Sequence, residues 1–152
     1  MKEVTVQVND TFVAHRDHQQ KMKSLEQAII SELEPVELEY VHHFAHGTYT
    51  REMRVPAGTV VTGKIHRHSC LNVLLKGKIL VVTDEDNYEL EAPHVFVSGP
   101  GVKKAAYVLE DVVWLNVHPW DGESDLDQIE DQVIIPSYEA LEQEAKQMIG
   151  DK

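Results

Sequence analysis

The sequence predicts a mainly β domain, a sandwich or barrel with helices at both ends. Three observations carry this. Between Glu37 and His118, β-branched and aromatic residues come in short runs separated by turn residues. Ahead of them, apolar residues recur at steps of three and four, as on one face of a helix. Behind them, two further stretches repeat that helical spacing. At 152 residues the chain is sized for one domain. A domain near this length buries about 68–70% of its unfolded surface, so its core needs no staple.

The elements follow in order. Val4, Val6 and Val8 alternate with polar residues, as on a half-buried strand. From Asp17 to Leu33, the residues Met22, Leu25, Ala28, Ile29 and Leu33 share one helical face. Pro35 ends that helix, because the residue before a proline avoids the α region. Residues 1–36 thus form an N-terminal strand and helix. Residues 37–120 form the β-barrel. Its strands are expected near Leu38–Phe44, Thr48–Val55, Val60–His68, Leu71–Leu75, Lys78–Thr83, Tyr88–Leu90, Val95–Ser98, Ala105–Val108 and Val112–Val117. The breaks are His46-Gly47, Pro56-Ala57-Gly58, Lys76-Gly77, Asp84 to Asn87, Ala92-Pro93 and Gly99-Pro100-Gly101. Residues 121–152 supply two acidic helices. Ser124 and Asp127 have capping-box spacing, and Leu126, Ile129 and Val133 form a narrow stripe. The second helix runs from Ser137 to Ile149, with Tyr138, Leu141, Ala145 and Met148 on one side and Gly150 as its stop. These stripes must be covered by the barrel or by a second subunit, and a homodimer is the expected assembly.

Charge excludes several classes of function. The chain carries 14 basic and 26 acidic side chains, a net −12. Phosphate binding needs a basic face, so no nucleic-acid partner and no anionic-membrane partner is expected. Residues 121–152 hold ten acidic side chains against Lys146 and Lys152, or −8 of that total. Such a run reads as solvated helical faces. The single Cys70 excludes an internal disulfide. No apolar run approaches the about 20 residues of a membrane span, and the N-terminus has no signal-peptide core. A soluble, cytoplasmic protein is expected.

The chemistry centres on nine histidines. Alternate residues on a strand share a face. His66 and His68 are therefore expected to point the same way, about 6.6–6.8 Å apart. Cys70 and Asn72 continue that parity on an unbroken strand. One divalent ion can join two imidazoles at about 2.0–2.1 Å from each nitrogen. The spacing equally fits an exposed strand face or hydrogen-bonded core histidines. Of His42 and His43, one can face inward. His46, His94 and His118 read as surface or structural residues, although His118 has the parity of Trp114 and Asn116. Cys70 is either a soft thiolate ligand or a small buried hydrophobe. Tyr49, Arg51, Arg54, Lys64, Tyr107 and Trp114 are candidates to line a barrel mouth. No GxGxxG, GxxxxGK[ST] or GxSxG pattern is present, which leaves Rossmann, P-loop and hydrolase-elbow functions without support.

The runs Pro56-Ala57-Gly58, His66-Arg67-His68 and Val73-Leu74-Leu75-Lys76-Gly77 resemble the first motif of the cupin superfamily. The run Val95-Phe96-Val97-Ser98-Gly99-Pro100-Gly101, with Val102-Lys103-Lys104 after it, resembles the second. The likeness covers residues 48–118, about half of the chain. With its flanking helices, the layout resembles small cupin-domain proteins of bacteria and phages. The resemblance implies a cupin-type double-stranded β-helix barrel, or jelly roll. It also implies a divalent metal ion (Zn, Fe, Mn or Ni) held by two histidines and a glutamate of the first motif and a histidine of the second. His66 and His68 match. Cys70 stands at the glutamate position and Lys104 at the second-motif histidine. His42 aligns with a histidine of the relatives and is the expected third ligand. Asn72, Lys104, Tyr49, Arg51, Tyr107 and Trp114 are the implied pocket, holding a small-molecule ligand. Two functions stay open: a metal-dependent enzyme acting on a small molecule, and a non-catalytic ligand-binding or assembly module with a degenerate site.

Overall fold

The computed structural model describes residues 19–24, 27, 37–82 and 87–150. The strand expected at Val4–Val8, Pro35 and the turn at 84–86 lie outside the described residues. Of the helix expected over 17–33, residues 19–24 and 27 are helical (α1), and its Met22 is buried. The strands are β1 (Glu39–Ala45), β2 (Thr48–Val55), β3 (Val60–Thr62), β4 (Ile65–His66), β5 (Cys70–Val82), β6 (Asn87–Glu91), β7 (His94–Ser98) and β8 (Ala105–Pro119). Helix α2 (Leu126–Val133), strand β9 (Ile134–Ile135) and helix α3 (Tyr138–Gly150) complete the described chain. The fold is mainly β and antiparallel, in the manner of a jelly-roll barrel.

Two long strands organise the barrel. β5 and β8 pair antiparallel from Leu71↔Val117 to Val82↔Ala105. Near one end, β5 also pairs with β7 and β8 with β2, which in turn pairs with β1. Near the other end, β5 pairs with β6 and β8 with β3. One continuous pair thus serves both walls. The sequence suggested breaks at Lys76-Gly77 and between Val108 and Val112. The structure instead runs straight through, with register shifts between Leu74 and Ile79. Such irregularities bend a strand without ending it. Gly77 has φ 89°, and a Cβ there would collide with the Asp111 carbonyl. Turn-like residues here therefore mark a bulge. Leu74, Ile79, Val81, Val108 and Val112 form the core below it, with Met53 and Val55 of β2.

The expected strand Val60–His68 is also corrected. It divides into β3 and β4, and residues 67–69 leave the strand conformation. β4 turns to pair with β9, with Ile65 opposite Ile135 and His66 opposite Ile134. β9, only two residues long, gave no periodic signal. Ile65, Ala105, Ile135, Tyr138 and Met22 form a second buried cluster, so the C-terminal segment closes on its own barrel. Arg67 pins it there: Nη1 donates to Glu144 of α3 at 3.0 and 3.1 Å, Nη2 to the Ile134 carbonyl at 3.3 Å. The N-cap of α2 is Asp125, not Ser124. Its Oδ1 accepts from the Asp127 and Gln128 amides at 3.0 and 3.3 Å, as a short acidic side chain does at this position. No described helix is long and apolar enough to cross a membrane.

Candidate metal centre and ligand cavity

Register places the site in layers. β2 pairs Tyr49 with His118, Arg51 with Asn116 and Met53 with Trp114 of β8. β8 pairs Asn116 with Asn72 and Trp114 with Leu74 of β5. The same register puts Cys70 beside His118. Side chains two residues apart share a face, so three successive layers point inward. The first is Tyr49, His118 and Cys70; the second Arg51, Asn116 and Asn72; the third Met53, Trp114 and Leu74. β7 adds Ser98 opposite Cys70 and Phe96 opposite Asn72. The wall passes from ligating groups through amides to an apolar floor.

In the first layer, His66 of β4 joins Cys70 and His118. Their donor atoms lie within 4.8 Å of one another, and all three residues are buried. The two imidazoles stand 5.1 Å apart between centroids at 59°. His66 Nε2 is buried without a hydrogen-bond partner. Burial lowers the His66 pKa to about 4, assisted by the Arg51 and Lys64 charges. Burial likewise lowers His118 to about 4, with His66 and Arg51 adding to it. Both rings are therefore neutral at pH 7, with lone pairs available. The buried Cys70 thiol is pushed up by desolvation, against opposing help from the Val117 backbone and Arg51. Donor atoms on one tetrahedral ion stand roughly 3.3–3.8 Å apart, for bonds of about 2.0–2.3 Å. The donor atoms here, all within 4.8 Å of one another, approach that spacing. Two nitrogens and a sulfur suit a borderline or soft divalent ion. The set fits a metal, and the orphaned His66 Nε2 is the observation that says so.

The expected ligands divide. The structure brings His66 and Cys70 together. His68 does not: with residues 67–69 bent out of the strand, it is exposed, and it shares no face with His66. His42 is also outside the group. Its Nδ1 lies 2.7 Å from Tyr49 Oη, and the Tyr49 ring stacks on both His42 and His118. Tyr49 thus stands between them. His118, read as a surface or structural residue, takes the third position. Its parity with Trp114 and Asn116 was the available signal; the β5–β8 register that brings it to Cys70 is a long-range pairing.

The second layer borders a cavity of about 480 Å³. Arg51, Asn72, Lys104 and Trp114 line it together with His66 and Ser98. Tyr107 does not: it is exposed, opposite Val60 and Leu80. Tyr49 instead lines a smaller cavity of about 240 Å³ with His42 and His118. The metal-ligand group therefore lies between two cavities, with Arg51 and Lys64 on the walls of both. Lys104 sits 5.3 Å over the Phe96 ring, and burial lowers its pKa.

No protein-family model matches the chain, and no curated protein does. Solved structures do match. The chain is similar to a cupin-2 domain protein of Shewanella frigidimarina at 11% identity and TM-score 0.45, over 63% of this chain and 92% of that one. It is similar to a cupin superfamily protein of Desulfitobacterium hafniense at 14% identity and TM-score 0.48, over 62% and 87%. A third match is KdgF of a Halomonas species, at 16% identity and TM-score 0.49, over 61% and 90%.

Proposed function

We propose that this chain is a cupin-type protein that holds a divalent metal ion on His66, Cys70 and His118 and receives a small molecule in the adjoining 480 Å³ cavity. The observation that carries the reading is the buried, unpartnered His66 Nε2 in a group with Cys70 and His118. His66 and His118, neutral at pH 7, would each offer a lone pair, and Cys70 would give up its proton to bind. The ion, when bound, supplies Lewis acidity. His66 lines the larger cavity, so it faces the space where a small molecule would sit. Tyr49 packs against His118 and fixes its ring plane.

Both a metal enzyme and a non-catalytic binding module fit this arrangement: no Asp or Glu is among the described residues lining the cavity, and in an enzyme a metal-bound water or Lys104 would serve as base. The homodimer belongs to the same proposal. Its helices are in part covered by their own barrel, whereas Leu71, Val95 and Val97 leave an apolar strip exposed on β5 and β7. Light scattering that gives a monomer removes it.

Cobalt titration tests the metal site. Co²⁺ bound through Cys70 gives a thiolate-to-metal charge-transfer band, which Cys70→Ala removes and His68→Ala leaves. A spectrum of hexaaqua cobalt alone, in the unmodified protein, refutes the proposed ligand set.

A further inference from the structure

The cavity wall beside the metal-ligand group is a chain of hydrogen bonds whose direction is forced. Trp114 Nε1 can only donate, and it donates to Asn72 Oδ1 at 3.1 Å. Arg51 can only donate as well, and its Nη2 donates to Asn116 Oδ1 at 3.0 Å. These two contacts fix both amides. Asn116 Nδ2 then donates to Asn72 Oδ1 at 2.7 Å. Asn72 Nδ2 donates to Ser98 Oγ at 2.9 Å and to the Cys70 carbonyl at 3.0 Å. Lys104 Nζ donates to the same Ser98 oxygen at 3.4 Å.

The side-chain acceptors of this wall are thereby largely engaged, with one lone pair left on Asn116 Oδ1. Asn72 Oδ1 takes two donors, Ser98 Oγ takes two, and Asn116 Oδ1 takes a guanidinium. Donors are left over: the Ser98 hydroxyl proton, the remaining Lys104 protons, and Arg51 Nε, which is buried without a partner. Neither Arg51 nor Lys104 makes an ion pair with a carboxylate among the described residues. The third cation on the wall, Lys64, is engaged by Glu130. Among the described residues no acidic side chain lines the cavity, in a chain whose net charge is −12. Arg51 and Lys104 are half-buried; a cation withdrawn from water is costly unless paired, and a wall rich in donors is satisfied by a group that only accepts.

We infer that the 480 Å³ cavity binds a small organic acid, its oxyanion held by Arg51, Lys104 and the Ser98 hydroxyl. Carboxylate and phosphate share this chemistry, and Arg recognises both through paired N–H donors. Phe96, Trp114, Val61 and Met53 line the same cavity and receive an apolar body. The inference rests on reading this cavity as a ligand chamber, and not on the metal.

The test is calorimetric titration of the purified protein with benzoate, phenyl phosphate and benzamide, repeated after chelator treatment. Benzoate or phenyl phosphate is expected to bind at one site per chain, and the tighter of the two names the head group. Benzamide, a neutral isostere of benzoate, is expected to bind at least about tenfold more weakly. Lys104→Gln and Arg51→Gln are each expected to weaken the oxyanion by at least about tenfold while leaving the melting transition cooperative. Lys104→Gln, on a half-buried loop residue, stands as the informative variant if Arg51→Gln fails to fold. Chelator treatment is expected to leave the oxyanion affinity unchanged. No binding of either oxyanion, equal affinity for benzamide, or an affinity that Lys104→Gln leaves intact overturns the inference. So does an affinity that vanishes with the metal, since the ion and not the cations would then hold the anion.

Discussion

Cys70 and His118 lie two residues away from Asn72 and Asn116 on the same pair of strands. The two amides are largely satisfied: Asn72 Oδ1 alone accepts from Trp114 and from Asn116. The ligating layer is not. His66 Nε2 has no partner, and the Cys70 sulfur makes only long contacts, 3.6 and 3.9 Å, to the Leu71 and Val117 carbonyls. Both layers are buried, so the difference is one of purpose. A buried group without a partner costs about 1–3 kcal/mol, and such a cost is commonly retained where a ligand removes it. The hydrogen-bonded amides brace the wall, and the group beside them, with its unpartnered nitrogen, is the one proposed to take an ion.

The comparison can be broken from its shared platform. Gly77→Ala adds a Cβ against the Asp111 carbonyl at φ 89°. Both layers depend on the long strands that bulge there. A loss of about 3 kcal/mol or more, or failure to fold, is expected in denaturant melts. A change within ~0.5 kcal/mol would mean that the bulge relaxes freely.

The amide layer should suffer next. Asn72→Leu removes the acceptor shared by Asn116 Nδ2 and the partly buried Trp114 Nε1. A loss of about 2–4 kcal/mol is expected from the same melts. The reverse holds across the layers: Cys70→Ala should cost about 1–2 kcal/mol as a small buried side chain, because it strands no strong donor.

Acid sharpens the contrast. His66 and His118 have folded pKa values near 4, below the usual 6.5. The unfolded chain therefore takes up their protons first as pH falls. Their contribution is full above about pH 6.5 and is lost progressively toward pH 4. At about 1.4 kcal/mol per pKa unit, a drop of roughly 2.5 for each ring sets an upper bound of about 7 kcal/mol for the pair, which solvent screening reduces. The His66→Gln, His118→Gln double variant should flatten the stability profile between pH 6.5 and 4, and an unchanged slope contradicts the assigned shifts. The smallest effect belongs to the exposed Lys64–Glu130 pair outside both layers. Glu130→Gln should change stability by less than about 1 kcal/mol.

Much of this was legible in the residues. The β texture between Glu37 and His118, the turn residues and the helical stripes placed most elements, because each is a local signal. β2 falls where its run of residues between turn signals put it. The resemblance to cupin motifs placed His66 and Cys70 in one neighbourhood. What failed was parity carried across a bend. His66 and His68 share a face only on an unbroken strand, and residues 67–69 break it so that β4 can reach β9. β9 comes from the far end of the chain, and its two residues carry no periodicity. His118 was missed for a related reason: its neighbour Cys70 is set by the β5–β8 register, which depends on bulges near Gly77 that no local pattern counts. Lys76-Gly77 looked like a turn because glycine at positive φ serves a turn and a bulge alike.

The account stands on which histidine completes the metal group. Elemental analysis of the protein purified without a histidine tag, with His68→Ala and His118→Ala prepared alongside, decides it. Near-stoichiometric divalent metal is expected in the unmodified protein and in His68→Ala, and little in His118→Ala. Metal retained in His118→Ala and lost in His68→Ala, or no metal in any of the three, would contradict the site.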